Sequence, residues 1–190
     1  MRIAVIGRGN IGGTLGRGFS QAGHDVVYGV RGQVQASAEA TIAEAVRGAD
    51  VVLLAVPGDA VDDVLASTAD GLTGRLVIDA TNKIGESVVN AAAQIREAAP
   101  GVRYARAFNT LGRENFADPV FDGASADLFY SSEPDDQPVL EELIKAIGLR
   151  PVYAGAGKEA EVDGLLGLWR SLVQARGGNR HLAFRLLERS

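Results

Sequence analysis

Residues 7–12 read Gly-Arg-Gly-Asn-Ile-Gly, glycines at the spacing G-x-G-x-x-G, directly after the apolar run Ile3 to Ile6. In a loop that carries a pyrophosphate each glycine has a task. The first makes the tight turn, the second lets the phosphates approach the backbone, and the third lets the helix pack on its strand. The helix that opens at Asn10 then offers free N–H groups and a partial positive charge to the anion. Many unrelated turns share the pattern, but inside a strand–helix–strand unit it reads as a dinucleotide site formed by Gly7, Arg8, Gly9, Asn10, Ile11 and Gly12.

Which dinucleotide follows from the end of the second strand. A site for NAD places Asp or Glu about 20 residues beyond the fingerprint, against the ribose hydroxyls. Here the segment is Tyr28-Gly29-Val30-Arg31-Gly32, with no acid and one arginine. A planar guanidinium fork matches a 2′-phosphate, so Arg31 favours NADP, with Arg8 adding charge nearby. The competing reading makes Arg31 a solvated surface residue.

Proton donors are scarce. The tyrosines are Tyr28, Tyr104, Tyr130 and Tyr153, and none heads a Tyr-x-x-x-Lys pair. His24 precedes the second strand, at the wrong end of a sheet whose ligands bind beyond the carboxyl ends of the strands. His181 in the tail and Lys83 just past a strand end are candidate donors, each weighed against an ordinary surface role. No catalytic residue is assigned. The scarcity fits direct hydride transfer between two flat rings, a step that needs stacking and positioning while the cofactors carry the chemistry. Asn109 and Thr110 close a strand at the carboxyl edge, where they bond a ring carbonyl or phosphate or else make a simple turn. Asp79 reads as an ionised cleft group or a loop cap, and Trp169 as a stacking ring or as core or dimer interface.

These residues need a scaffold, and the hydropathy pattern supplies one. Apolar runs at Ile3–Ile6, Val26–Tyr28, Val51–Val56, Leu76–Ala80, Val102–Phe108, Asp127–Tyr130 and Arg150–Ala154 predict strands. Between them lie predicted helices over 10–21, 38–47 (with Ser37 as N-cap), 59–70, 86–99 and 134–147, and a turn-rich loop over 113–125. Alternation at this spacing predicts an α/β fold, a Rossmann-type doubly wound parallel sheet with helices on both faces. After the second strand the chain is too short for the usual crossover helix. Val34-Gln35-Ala36 then runs along the sheet edge, or the third strand is lost. Residues 1–154 form the dinucleotide-binding domain, and 155–190 a short helical C-terminal cap on the same unit. Leu165, Leu168, Trp169, Leu172 and Val173 make one helical stripe of that cap, and a second helix is predicted around Leu182 to Leu187.

Composition narrows the function further. The chain has 190 residues, 46% of them hydrophobic and 23% charged, which is enough to close a core. No apolar run approaches the ~20 residues of a membrane span, and Met-Arg-Ile-Ala-Val-Ile-Gly reads as a strand rather than a signal peptide. With no cysteine and two histidines, disulfides and thiolate chemistry are excluded and a metal centre is not expected. A net charge of −5 gives no reason to expect nucleic-acid binding. The expectation is a cytoplasmic protein acting on a small molecule or cofactor.

The sequence also resembles a known family, the NADP oxidoreductases dependent on the deazaflavin coenzyme F420, which includes the reductase domain of six-transmembrane ferric reductases. The matching stretches are Ile3-Ala-Val-Ile-Gly-Arg-Gly-Asn-Ile-Gly12, Val27-Tyr-Gly-Val-Arg31, Ala49-Asp-Val-Val-Leu-Leu-Ala-Val-Pro57, Ile78-Asp-Ala-Thr-Asn82, Ala107-Phe-Asn-Thr-Leu111 and Ile147-Gly-Leu-Arg-Pro151. The resemblance implies NADP across the glycine loop and Arg31, with the nicotinamide beside Ala55, Val56 and Pro57. It implies a hydride partner, F420 or a flavin, in a cleft formed by Thr81, Asn82, Asn109, Thr110 and the last helices. The chain departs from the family in the short stretch after Arg31, and in Val30 where the family often has a serine. The apolar tail stripe predicts a homodimer. The alternatives are an NADPH-dependent reductase of a small imine or carbonyl compound, with His181 or Lys83 as donor, and a non-catalytic NADP-binding module.

Overall fold

Short apolar runs, each stopped by a turn, build the sheet. A computed structural model of the chain describes residues 1–189, and Ser190, the last residue of the expected cap, lies outside the described residues. In chain order the elements are β1 (Arg2–Ile6), α1 (Asn10–Gln21), β2 (Asp25–Val30), β3 (Glu39–Thr41), α2 (Ile42–Arg47), β4 (Val51–Leu54), α3 (Val61–Leu72), β5 (Leu76–Asp79), α4 (Ala92–Ala98) and β6 (Arg103–Arg106). There follow α5 (Arg113–Ala117), a small hairpin of β7 (Val120–Phe121) and β8 (Ala124–Ser125), β9 (Asp127–Ser132), α6 (Gln137–Ala146), β10 (Arg150–Gly155) and α7 (Glu159–Ala175).

Eight strands form one sheet in the order β10-β9-β6-β5-β4-β1-β2-β3, with the β7–β8 hairpin apart from it. Strand residues alternate between the two faces. Ile3 and Val5 join the core under α1 and α6 with Leu15, Phe19 and Leu140, whereas Ala4 and Ile6 join the opposite core with Val46, Val64 and Ile95. Both faces are covered, which is why these strands read as unbroken apolar runs.

The architecture is the expected α/β one, with local corrections. The sheet is not wholly parallel: β9 pairs antiparallel to β6 through Ala105↔Ser132 and Arg106↔Ser131. The segment between them, expected as a bare loop, holds only α5 and the hairpin and turns the chain back; antiparallel neighbours need no crossover. The third strand survives, but not at Val34 to Ala36. Glu39 to Thr41 pair parallel with Tyr28 to Val30 as an edge strand, and 31–38 connect without a helix. The helix expected from Ala38 therefore starts at Ile42. Its cap is Thr41, not Ser37: Thr41 Oγ1 accepts from Glu44 N at 3.3 Å and the Glu44 carboxylate accepts from Thr41 N at 3.1 Å.

The helix expected over 86–99 begins only at Ala92. Asn90 Oδ1 accepts from Ala92 N at 3.0 Å and Asp79 Oδ2 from Ala91 N at 2.8 Å, so side chains take N–H groups that the start at Ala92 leaves without intrahelical partners. The second tail helix does not form. The backbone of 182–186 bonds other elements instead: Leu182 O accepts from Trp169 Nε1 at 2.8 Å, Phe184 O from Asp127 N at 3.0 Å, and Leu186 N donates to Asp127 Oδ2 at 2.6 Å. The tail is one helix followed by a strap. The expected stripe also splits. Val162, Leu166 and Trp169 are buried against the sheet, while Leu165 and Leu172 are half-buried and Leu168 is exposed.

Candidate functional site

The glycine loop leaves β1 and enters α1 along a path that side chains would block. Gly7 has φ +100°, and a Cβ there would sit 2.5 Å from Ala55 O. A Cβ on Gly12 would lie 1.9 Å from Gly7 O, so helix and loop pack only because both residues are glycine. Gly9 differs: among the described residues no atom comes within 4 Å of its would-be Cβ. It is also the N-cap of α1 and provides no side-chain hydrogen bond to the helix N–H groups. The described residues do not need glycine at this place for their own packing.

That open side is part of a depression of about 350 Å³ that gathers Gly7, Arg8, Gly9, Arg31, Ala55, Val56 and Pro57. Ala55 to Pro57 line this depression and not the larger cleft described below. Arg31 is exposed at its rim. Arg8 is committed elsewhere: its guanidinium pairs with Glu39 and lies 5.4 Å from the centre of the Tyr28 ring. The Glu39 carboxylate also accepts from Gln35 N at 2.8 Å and Ala36 N at 3.2 Å. The bond from Gln35, helped by Arg8, holds its carboxyl below the usual range. Glu39 thus ties the short 31–38 connection to the glycine loop, a role the sequence reading missed because it sought an acid beside Arg31. Asn10 faces outward and accepts from Arg113 Nη1 at 3.4 Å.

Beyond the loop lies a cleft of about 700 Å³ between the sheet edge and α7, lined by Ile11, Asn82, Asn109, Leu111, Trp169 and Arg170 among others. Thr81 and Thr110 lie behind it, each 1% exposed. Thr81 Oγ1 donates to Asp79 Oδ1 at 2.6 Å. Asp79 is fully buried and also accepts from Thr81 N and Tyr104 Oη, so it clamps the loop from inside the core and does not line the cleft. Burial, and next the Asp79 carboxylate, push the Tyr104 hydroxyl far above its ordinary range.

The cleft wall hangs on two residues that the sequence reading passed over, Arg106 and Asp163. Arg106 is fully buried. Its Nε donates to Asp163 Oδ1 at 2.7 Å, Nη1 to Asp79 O at 3.1 Å and Thr81 O at 2.6 Å, and Nη2 to Asn82 Oδ1 at 2.8 Å. Asp163, on α7, also accepts from Asn90 Nδ2 at 2.6 Å and Asn109 Nδ2 at 3.1 Å. Asn82 Nδ2 donates to Asn109 O at 3.0 Å. The available signal was an arginine at the end of an apolar strand run, which burial obliges to find acids and carbonyls. Two costs are stored beside it. Phe108 sits at φ +59°, and buried Asn109 Oδ1 has no partner among the described residues, which leaves a carbonyl unpaired at a cost of about 1–3 kcal/mol.

Neither candidate donor reaches this cleft wall. Lys83 Nζ donates to Gln94 Oε1 at 2.7 Å with its side chain mostly covered, and His181 is exposed on the strap. His24 lies against Glu142, 3.8 Å away. Trp169 belongs to the core, yet its ring also borders the cleft, with Arg180 stacked at 5.1 Å. Among the described residues there is no cluster of metal-ligating side chains and no helix long and apolar enough to cross a membrane. The glycine loop thus offers open backbone at one end and the cleft offers amide groups at the other, and among the described residues neither Lys83 nor His181 lines that cleft.

Known proteins share this plan. A family model described as NADP oxidoreductase, coenzyme F420-dependent, matches residues 2–83. The F420-dependent NADP reductase of Methanothermobacter thermautotrophicus is 30% identical over an alignment that covers 85% of this chain and 84% of that protein. A solved structure from Arthrobacter sp. FB24, described provisionally as an F420-dependent NADP-reductase, is 22% identical with a TM-score of 0.86, covering 99% of this chain and 100% of that one. The reductive aminase of Aspergillus terreus, in complex with NADPH and ethyl levulinate, is 19% identical with a TM-score of 0.71; the match covers 93% of this chain but 62% of the aminase. At these identities the two structures speak for the fold alone.

Proposed function

The chain belongs to the family of NADP oxidoreductases dependent on coenzyme F420, and from that premise we propose that it moves a hydride between NADPH and a deazaflavin held in the cleft beside α7. It is an NADP-dependent oxidoreductase. The residues fit the nucleotide. The open side of Gly9 and the uncapped start of α1 receive the pyrophosphate, Gly7 and Gly12 keep that path clear, and Arg31 meets the 2′-phosphate while Arg8 is paired to Glu39. Bound there, the nicotinamide supplies the hydride. Ile11, Asn82, Asn109 and the border of Trp169 hold the two rings together and exclude water; Thr81 and Thr110 brace them from behind. No residue of the chain needs to move a proton for this step.

The observation that carries the reading is a cleft next to the glycine loop, walled by amides, apolar groups and the arginines Arg170 and Arg180, with neither Lys83 nor His181 at its lining. A reductase of small imines or carbonyls is compatible with the fold, but it requires a donor that this cleft does not place. The test is direct. NADPH mixed with the oxidised deazaflavin coenzyme should bleach the coenzyme's visible absorbance as NADPH is consumed, with NADH and FMN slower in parallel. Tight NADPH binding with no bleaching would overturn the proposal.

Residues 1–154 and the cap from 155 onward act as one unit in this reading, because Asp163 of α7 closes the network under Asn82 and Asn109. Leu165, Leu168 and Leu172 form an outward apolar face on α7, which supports a cytoplasmic homodimer packed through that helix. A monodisperse monomer by light scattering at micromolar concentration would refute the dimer.

A further inference from the structure

Asn82 and Asn109 both border the cleft, and each has its amide orientation forced by a partner that plays one part only. A free asparagine amide turns either way at little cost. Arg106 can only donate, so Asn82 turns Oδ1 to Nη2 at 2.8 Å and is left with Nδ2 as its outward group; one of its hydrogens goes to Asn109 O at 3.0 Å. Asp163, bridged to Arg106 at 2.7 Å, can only accept, so Asn109 gives it Nδ2 at 3.1 Å and keeps Oδ1 for something else. Nothing in the described chain bonds that oxygen. The last hydrogen of Asn82 Nδ2 and the lone pairs of Asn109 Oδ1 are thus a donor and an acceptor on adjacent residues of the wall.

We propose that Arg106 and Asp163 are positioning residues that set the polarity of the cleft, so that it recognises an amide or imide edge, a C=O beside an N–H. Asn82 donates to the carbonyl and Asn109 accepts from the N–H. The oxygen of Asn109 is covered by its neighbours, so the ligand N–H reaches it by parting the cleft lining, and the pairing then relieves an unmet carbonyl. Two ring systems present this edge: the carboxamide of a nicotinamide and the imide of a deazaflavin's pyrimidinedione. The inference rests on the cleft being the ring site proposed above. Its readout is binding alone, so a chain that binds both rings but transfers no hydride fails that reading without touching this one.

The experiment compares two ligand pairs by quenching of Trp169, the single tryptophan, which borders the cleft. One pair is NADPH and its 3-acetylpyridine analogue, which keeps the carbonyl and lacks the N–H. The other is a deazaflavin and its N3-methylated form. In the native chain the parent of one pair should bind about tenfold tighter than its analogue, the worth of one buried hydrogen bond. The pair that shows the preference identifies the ring. Asp163→Leu removes the acceptor shared by Arg106 and Asn109, so the Asn109 amide is free to turn its oxygen to the guanidinium, which should reduce the preference below about twofold; a thermal melt checks that the variant is folded. Asn109→Ala removes the acceptor outright and should abolish the preference as well, which decides the matter if Asp163→Leu does not fold. No preference in either pair, or an undiminished one in a folded variant, would overturn the proposal.

Discussion

Around the glycine loop the walls are backbone, the cations sit at the surface and the useful feature is empty space over Gly9, whereas around Asn82 and Asn109 the walls are side chains held by a buried guanidinium. In the first region, the open side over Gly9 takes no part in the packing of the described residues. The second cannot be altered without disturbing the fold, because Arg106 ties β5, β6 and α7 together through Asp79, Thr81 and Asp163. The contrast separates residues whose loss costs binding from residues whose loss costs folding.

Breaking the buried side should have the largest effect. Arg106→Ala leaves Asp163 without its cation inside the protein, and stability measured by urea unfolding should fall by about 3–5 kcal/mol. A loss below about 1 kcal/mol would mean that the network is solvated and the contrast false. Next comes the open side. Gly9→Ala meets nothing among the described residues, so its unfolding midpoint should stay near that of the native protein. NADPH binding by calorimetry should weaken by about 2–3 kcal/mol, as a methyl group displaces the phosphate from the N–H groups that hold it. Equal losses in folding and in binding would erase the distinction.

Arg31→Ala should be smaller and selective. NADPH affinity should drop about tenfold, one charge-assisted contact in an exposed place, while NADH affinity stays unchanged. A parallel loss of both would take Arg31 out of the 2′-phosphate site. The smallest effect belongs to Glu39, whose carboxyl is held below its ordinary value of 4.5 in the folded chain, first by Gln35 N and then by Arg8. A depressed carboxyl contributes stability above its unfolded value and loses it as the pH falls through the folded one. Glu39→Gln should therefore show a shallower decline of stability below about pH 4.5 than the native chain. An identical acid limb would show that Glu39 does not tie the 31–38 connection to the loop.

The same contrast decides what could be read from the sequence. The glycine loop was legible because its parts are neighbours: Gly7, Gly9 and Gly12 do their work within one turn, and Arg31 follows at the end of the next strand. The Thr41–Glu44 capping box is equally local; its four residues were present in the sequence, yet the helix was expected to begin at Ala38 because a short alanine-rich segment shows no preference between edge strand and helix. Arg106 and Asp163 were not legible, since nothing near either residue says that they meet across 57 positions. The strap failed for the same reason. Leu182 to Leu187 has the spacing of a helix, but its backbone finds partners on Asp127 and Trp169, and long-range bonds outweigh weak local propensity.

The central claim is hydride transfer between two bound rings, and isotope transfer tests it most directly. NADPH carrying deuterium at the transferable position of the nicotinamide is mixed with oxidised deazaflavin in ordinary water, and the reduced deazaflavin is examined by mass spectrometry. The account predicts that the label arrives on the deazaflavin ring carbon, one deuterium per NADPH consumed. Reduced deazaflavin without the label, or NADPH oxidised with no reduced deazaflavin formed, would contradict it.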